Sequence, residues 1–207
     1  MNWRGTWTLL SKEVSRFMKV LVQTVLTPVV TALLYLLVFG HALAQRTMAD
    51  PQLSFSAFLA PGLIMMSMIQ NAFANSSSSI AQSKMMGSLI FMLLAPLSAL
   101  ECLIAYVLAA MLRGLLVGVG IYLVIRCLMP LPWPALIWAL AFACLGCGAL
   151  GALGLIAGIL ADKYEHLSAF QNFVVLPLSF LAGVFYSIRT LPSPARELSH
   201  FNPFLYD

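Results

Sequence analysis

Charge is what this sequence has least of. Asp, Glu, Lys and Arg make up 9% of its 207 residues, while 61% are hydrophobic. Soluble domains carry roughly 25% charged residues, so the deficit excludes an ordinary soluble core. The chain reads instead as an integral membrane protein whose helical spans need about 20 apolar residues each. Nucleotide-binding and hydrolytic signatures are also missing: there is no GxxxxGK[ST], no HExxH, no GxSxG and no carboxylate pair in an aqueous setting. No catalytic residue, metal or cofactor is therefore expected on this chain, and it is not expected to be an enzyme. The net charge of +4 is scattered or sits beside spans, which excludes a nucleic-acid footprint and fits the positive-inside bias of membrane proteins. Cysteine is scarce. Cys144 and Cys147 form a CxxC, but Ala, Leu and Gly surround it within a span, so it reads as packing.

What is present is organised helix by helix. Trp3, Trp7, Leu10, Val14 and Phe17 recur on one helical face, with Lys12, Arg16 and Lys19 on another. This predicts an interfacial helix over residues 1–19. Span one follows over 20–40, kinked at Pro28. Four basic residues precede it and Arg46 alone follows closely, which places the N-terminus in the cytoplasm. No cleavable signal peptide is expected.

Span two covers 57–80. Its inner half carries Ser67, Gln70, Asn71, Asn75 and Ser76 to Ser79. In lipid such a face must meet protein or water, as interhelical hydrogen-bond glue or as the wall of a substrate path. Span three covers 102–125, with Gly114 and Gly118 in GxxxG spacing and Arg113 inside it. That cation is expected against protein or in a wet cavity, with a structural ion pair or a carbonyl cap as the plain alternative. Span four, 135–160, is rich in glycine for close packing. Span five, 167–185, is broken by Pro177, and Gln171 and Asn172 give its inner end a polar face. Residues 186–207 are too broken by proline to span and are expected to form an outer re-entrant segment.

Between spans two and three lies residues 82–98. The start, Gln82-Ser83-Lys84, is polar; Leu89 to Leu94 is apolar but too short to span; Pro96 forces Ala95 out of helical geometry. A short apolar helix on the Lys-bearing side reads either as an ordinary interfacial loop helix or as a surface docked into a partner.

The sequence resembles the permease subunit of ABC-2-type exporters, in the YadH-like and DrrB-like branch of bacterial inner-membrane permeases. Pro61-Gly62-Leu63-Ile64-Met65-Met66 carries the likeness in span two. So do Gly87-Ser88-Leu89 with Leu93-Leu94-Ala95-Pro96-Leu97-Ser98, and Gly183-Val184-Phe185 with Leu191-Pro192 and Asn202-Pro203. The resemblance implies an all-α transmembrane bundle forming a single domain over residues 1–207. It also implies location in the bacterial inner membrane, assembly as a homodimer or with a second permease, and a separate ABC ATPase subunit that holds ATP and Mg. Lys84, Gly87, Ser88, Phe91, Met92 and Pro96 would then form the coupling helix that meets the ATPase, with Met85 and Met86 adding contacts. Ser67, Gln70, Asn71, Asn75, Gln171 and Asn172 would line the substrate path. A sixth span is expected after Asn202-Pro203; a chain ending at Asp207 is expected to lack it and to be poorly stable alone. The alternative is a membrane assembly or anchor protein, or an inactive shortened permease.

Overall fold

The computed structural model describes residues 2–42, 55–129 and 136–181. The outer loop after span one, the proline-rich turn at 130–134 and the whole re-entrant segment at 186–207 lie outside them. Among the described residues all regular structure is helical, in keeping with the all-α bundle.

Helix α1, Trp3–Met18, is capped by Asn2, whose side-chain oxygen accepts from the Gly5 amide at 3.1 Å. Its amphipathic pattern is present, but the face it buries is Thr6, Leu9, Glu13 and Phe17. Trp3 and Trp7, expected on the same stripe as Phe17, are exposed. They face away from the bundle, where an indole suits the lipid boundary. Helix α1 lies lengthwise along α5 rather than apart from the bundle. Its first residue contacts reach Glu101, and Arg16 near its end reaches Asn75.

Helix α2, Leu21–Ala42, contains Pro28. Helix α3, Phe55–Met85, is longer than expected at 31 residues, about 46 Å against a hydrocarbon core of about 30 Å. It takes in Gln82, Ser83 and Lys84 because its inner end is packed by protein, so polar residues there need not enter lipid. Gly87, at φ 70, then turns the chain in the left-handed region that suits glycine, and helix α4, Leu89–Leu94, follows. Ala95 is extended, as Pro96 requires. Helix α5, Ala99–Leu128, begins in a capping box between Ser98 and Glu101. Helix α6 is Leu136–Leu160.

The expected fifth span is segmented. Helix α7, Tyr164–Phe170, passes into a π-helical turn, Gln171–Val175, and then into α8, Leu176–Leu181. The Leu176 amide bonds back to the Gln171 carbonyl, and Pro177 next to it has no N–H to offer. By length and composition, α2, α5 and α6 are able to cross a membrane. Helix α3 sits among them with its polar inner half turned to protein. Its other side meets α6 at very close range. A Cβ built on Gly154 would strike the Phe73 carbonyl oxygen, and one on Gly158 would lie 2.8 Å from that of Ser77. The span-four glycines therefore do pack backbones together.

Candidate functional site

The opposite face of α3 is hollow. A cavity of about 430 Å³ lies between α2, α3 and α5, walled by Gln23, Thr24, Thr27 and Thr31 of α2, Ser67, Gln70 and Asn71 of α3, and Arg113 of α5; Val20 and Pro28 complete it. Three of the polar residues expected on span two thus share one wall with Arg113. Ser67 donates to the Leu63 carbonyl at 2.8 Å, and the Asn71 amide to the Ser67 carbonyl at 3.0 Å. Each spends a donor on its own helix.

Asn75, one turn further in, is fully buried and is a joint between helices. Its side-chain oxygen accepts from Arg16 at 3.0 Å and from Arg113 at 3.5 Å. Arg16 also donates to the Asn75 carbonyl at 2.9 Å and to the Glu13 carboxylate at 3.2 Å. Glu13 is buried and lies 3.7 Å from the Lys12 ammonium. Arg16 was expected at the headgroups; pairing with Glu13 lets it point into the bundle instead. Glu13 and the α2 residues Gln23, Thr27 and Thr31 were not singled out as site residues. Their spacings, three for the ion pair and four along α2, are the signals that mark them.

Gln171 and Asn172 are not brought to this cavity. They open the π-helical turn, Gln171 half-buried and Asn172 exposed, and they are not among the residues that wall it.

The expected coupling segment divides in the same way. Ile90, Phe91, Leu93 and Leu94 are exposed, Phe91 at 76%, and Met86 stands beside them. Gly87, Ser88 and Pro96 bracket this surface, with the Ser88 hydroxyl donating to the Ser83 carbonyl at 3.3 Å. Met92 turns inward, where its sulfur accepts from the Tyr106 hydroxyl at 3.3 Å. Lys84 is occupied elsewhere. Its ammonium donates to Asp162 at 2.7 Å and to the Ile159 and Ala161 carbonyls, each at 3.1 Å, and so closes the C-terminus of α6. That hydrogen bond holds the Asp162 carboxyl below its usual range.

Helix α1 runs from the exposed α4 segment towards the residues beside the cavity. At its start, the Asn2 amide donates to the Glu101 carboxylate and the Asn2 side chain to the Pro96 carbonyl at 3.3 Å. Leu9, Ile80, Ala105 and Tyr106 form a core with Met92 and Leu97 packed against it. At its end, Arg16 holds Asn75.

A bundle of apolar helices with a polar cavity and an exposed apolar loop helix fits a membrane transport protein. The ABC-2 type transporter family model matches residues 4–206, and the chain belongs to that family. It is 34% identical over 206 residues to the inner membrane transport permease YadH of Escherichia coli K12, covering 100% of this chain and 80% of YadH. It is 25% identical over 208 residues to nodulation protein J of Rhizobium leguminosarum bv. viciae, covering 100% of this chain and 79% of that protein. No solved structure matches. The chain is thus a membrane permease of an ABC transporter, and the inner-membrane location of YadH agrees with the apolar helices found here.

Proposed function

We propose that this chain forms the substrate path of an ABC exporter as a dimer of permease subunits and is driven by a separate ATPase that docks on α4. The observation that carries the reading is the mechanical continuity of α1. A short rigid helix with an exposed apolar face lies at one end, and a polar cavity lies at the other. The two are joined by a helix bonded at both ends, about 24 Å long. Docking would bury Phe91 and Leu94, and ATP-driven movement of α4 would reach α1 through Pro96, Glu101 and Asn2. Arg16 would carry it to Asn75, which Arg113 also holds. Packed elements of this kind switch between discrete arrangements rather than deform smoothly. The ATP and Mg belong to the partner.

The test is co-purification with a candidate ABC ATPase subunit, followed by ATP hydrolysis measured with candidate substrates. Association that is lost in Phe91→Asp, with the fold intact, supports docking on α4. Association at the wild-type level in Phe91→Asp removes α4 from the mechanism.

A further inference from the structure

We infer that the α2–α3–α5 cavity is an oxyanion site, and that what it takes is an amphipath with a phosphate or carboxylate headgroup. This rests on the reading of the cavity as part of the substrate path and names the class of molecule it holds. Arg113 carries the argument. Among the described residues its charge faces no carboxylate within ion-pair reach, because Glu13 is taken by Arg16 and Lys12. Among the described residues it has one hydrogen bond, the 3.5 Å contact to Asn75, and its buried Nε has no partner. The side-chain amide nitrogens of Gln70 and Asn75 are likewise buried and unpartnered. Two buried oxygens, Glu13 Oε1 and Ser76 Oγ, also lack a partner, but neither residue walls the cavity; of the residues that do, Gln70 and Arg113 present unsatisfied N–H donors. A buried cation left unpaired is costly, and a neutral ligand would leave it so. A planar guanidinium beside amide donors matches an oxyanion, which offers several acceptors and a charge.

The apolar half of the ligand follows from the neighbouring hollow. A second, open groove of about 550 Å³ shares Val20, Gln23 and Thr27 with the first and continues along Met18, Leu21, Val22 and Leu26, with Lys19 as its one charged wall residue. Val22 and Leu26 are exposed and apolar. A headgroup beside Arg113 would thus leave its chain against α2, on the side open to lipid.

Binding to the purified full chain in a neutral detergent tests this, with dioctanoyl phosphatidic acid, dioctanoylglycerol and inorganic phosphate as probes. The wild type should bind phosphatidic acid at least about tenfold more tightly than the diacylglycerol, the scale of one charge-assisted hydrogen bond. Arg113→Gln should bring the two within about twofold, Arg113→Lys should keep most of the preference, and Arg126→Gln, outside the cavity, should keep all of it. Inorganic phosphate should compete only weakly; competition as strong as the lipid's would overturn the amphipath and leave a free-anion site. Equal binding of both lipids by the wild type, or a full preference retained in Arg113→Gln, overturns the oxyanion site. If Arg113→Gln does not fold, Gln70→Leu must weaken phosphatidic acid about threefold and leave the diacylglycerol unchanged, or the inference fails. The substrate-path reading fails separately: anion-selective binding without any effect on ATP hydrolysis would make this a lipid site off the path.

Discussion

The two faces of α3 are built in opposite ways. Towards α6 and α7 it is dry and backbone-tight: the Phe73 and Ser77 carbonyls lie against α6 glycines, and Phe73 stacks on Phe170 of α7 at 5.4 Å. Towards α2 and Arg113 of α5 its inner half is polar and hollow, with Asn75 held by guanidinium groups, while its outer half packs on both helices through Leu59, Leu63 and Met66. One helix therefore belongs to a rigid body on one side and to an adjustable joint on the other. Backbone packing without side chains between leaves no room for sliding, whereas a hydrogen-bonded cavity has alternatives in water and ligand. In an exporter driven through α4, α3 and α6 should move together while α1 and α2 shift against them.

The largest effect should come from breaking the dry face. Gly154→Leu puts a side chain into the Phe73 backbone, which cannot yield as a flexible side chain would. It should destabilise the protein by about 3 kcal/mol, the upper range of overpacking. Gly148→Ala is the control: its nearest neighbour would be Met111 sulfur at 3.7 Å, so it should change stability by less than about 0.5 kcal/mol. Thermal unfolding in detergent separates them, and equal losses would mean that the α3–α6 seam is not the rigid one.

Next comes the docking surface that would drive the joint. Burying a Phe side chain at an interface is worth roughly 1.5–3 kcal/mol. Phe91→Asp should therefore weaken ATPase capture by at least tenfold and leave the unfolding midpoint alone. Met92→Asp should lower both, because Met92 packs on Tyr106. If Phe91→Asp unfolds the protein as Met92→Asp does, α4 is a structural element and the division between its faces is wrong.

The polar face itself can be split. Asn75→Leu removes an acceptor from two half-buried cations and should cost about 1.5–3 kcal/mol, the range for hydrogen bonds to charged groups. Asn71→Leu removes a bond to its own helix and should cost about 0.6 kcal/mol or less, while changing substrate-stimulated ATP hydrolysis. Similar stability losses in both would make the whole face hydrogen-bond glue.

Much of this contrast is legible in the sequence, and its gaps have physical causes. Apolar runs of about 20 residues mark α2, α5 and α6 because lipid demands them. Pro96 and Gly87 mark the ends of α4 through backbone restriction alone. The glycines of span four announce close packing. The orientation of α1 is not legible in this way. A helical wheel sends charges to solvent, and it cannot tell that Glu13 neutralises Arg16 and so allows it inward. Gln23, Thr27 and Thr31 are obscured because threonine can satisfy its hydroxyl on its own helix, as Thr31 does on the Thr27 carbonyl at 3.0 Å, and then passes for apolar. Lys84 looked like a docking residue because it sits beside the loop in sequence. Its partner Asp162 is distant in sequence and becomes its neighbour only once α3 and α6 pack.

That last contact gives the smallest prediction and the finest test of the rigid body. The Lys84 hydrogen bond lowers the Asp162 pKa in the folded state, and in the unfolded chain the carboxyl returns to about 3.9. A depressed carboxylate stabilises the fold at pH above its unfolded value. That contribution fades as pH falls from the unfolded value through the folded one, because the folded state then binds the proton later than the unfolded state does. Asp162 is exposed, so the effect is small and screened by salt. Unfolding midpoints of wild type and Asp162→Asn should therefore differ by a constant, small amount between pH 7 and about pH 5 and converge below about pH 4. Taking the difference removes the other carboxylates, which titrate equally in both. Convergence abolished by Lys84→Met would tie the effect to this ion pair. A difference that persists unchanged into acid would mean that Asp162 acts through the chain turn after α6, and that Lys84 does not fasten α3 to it.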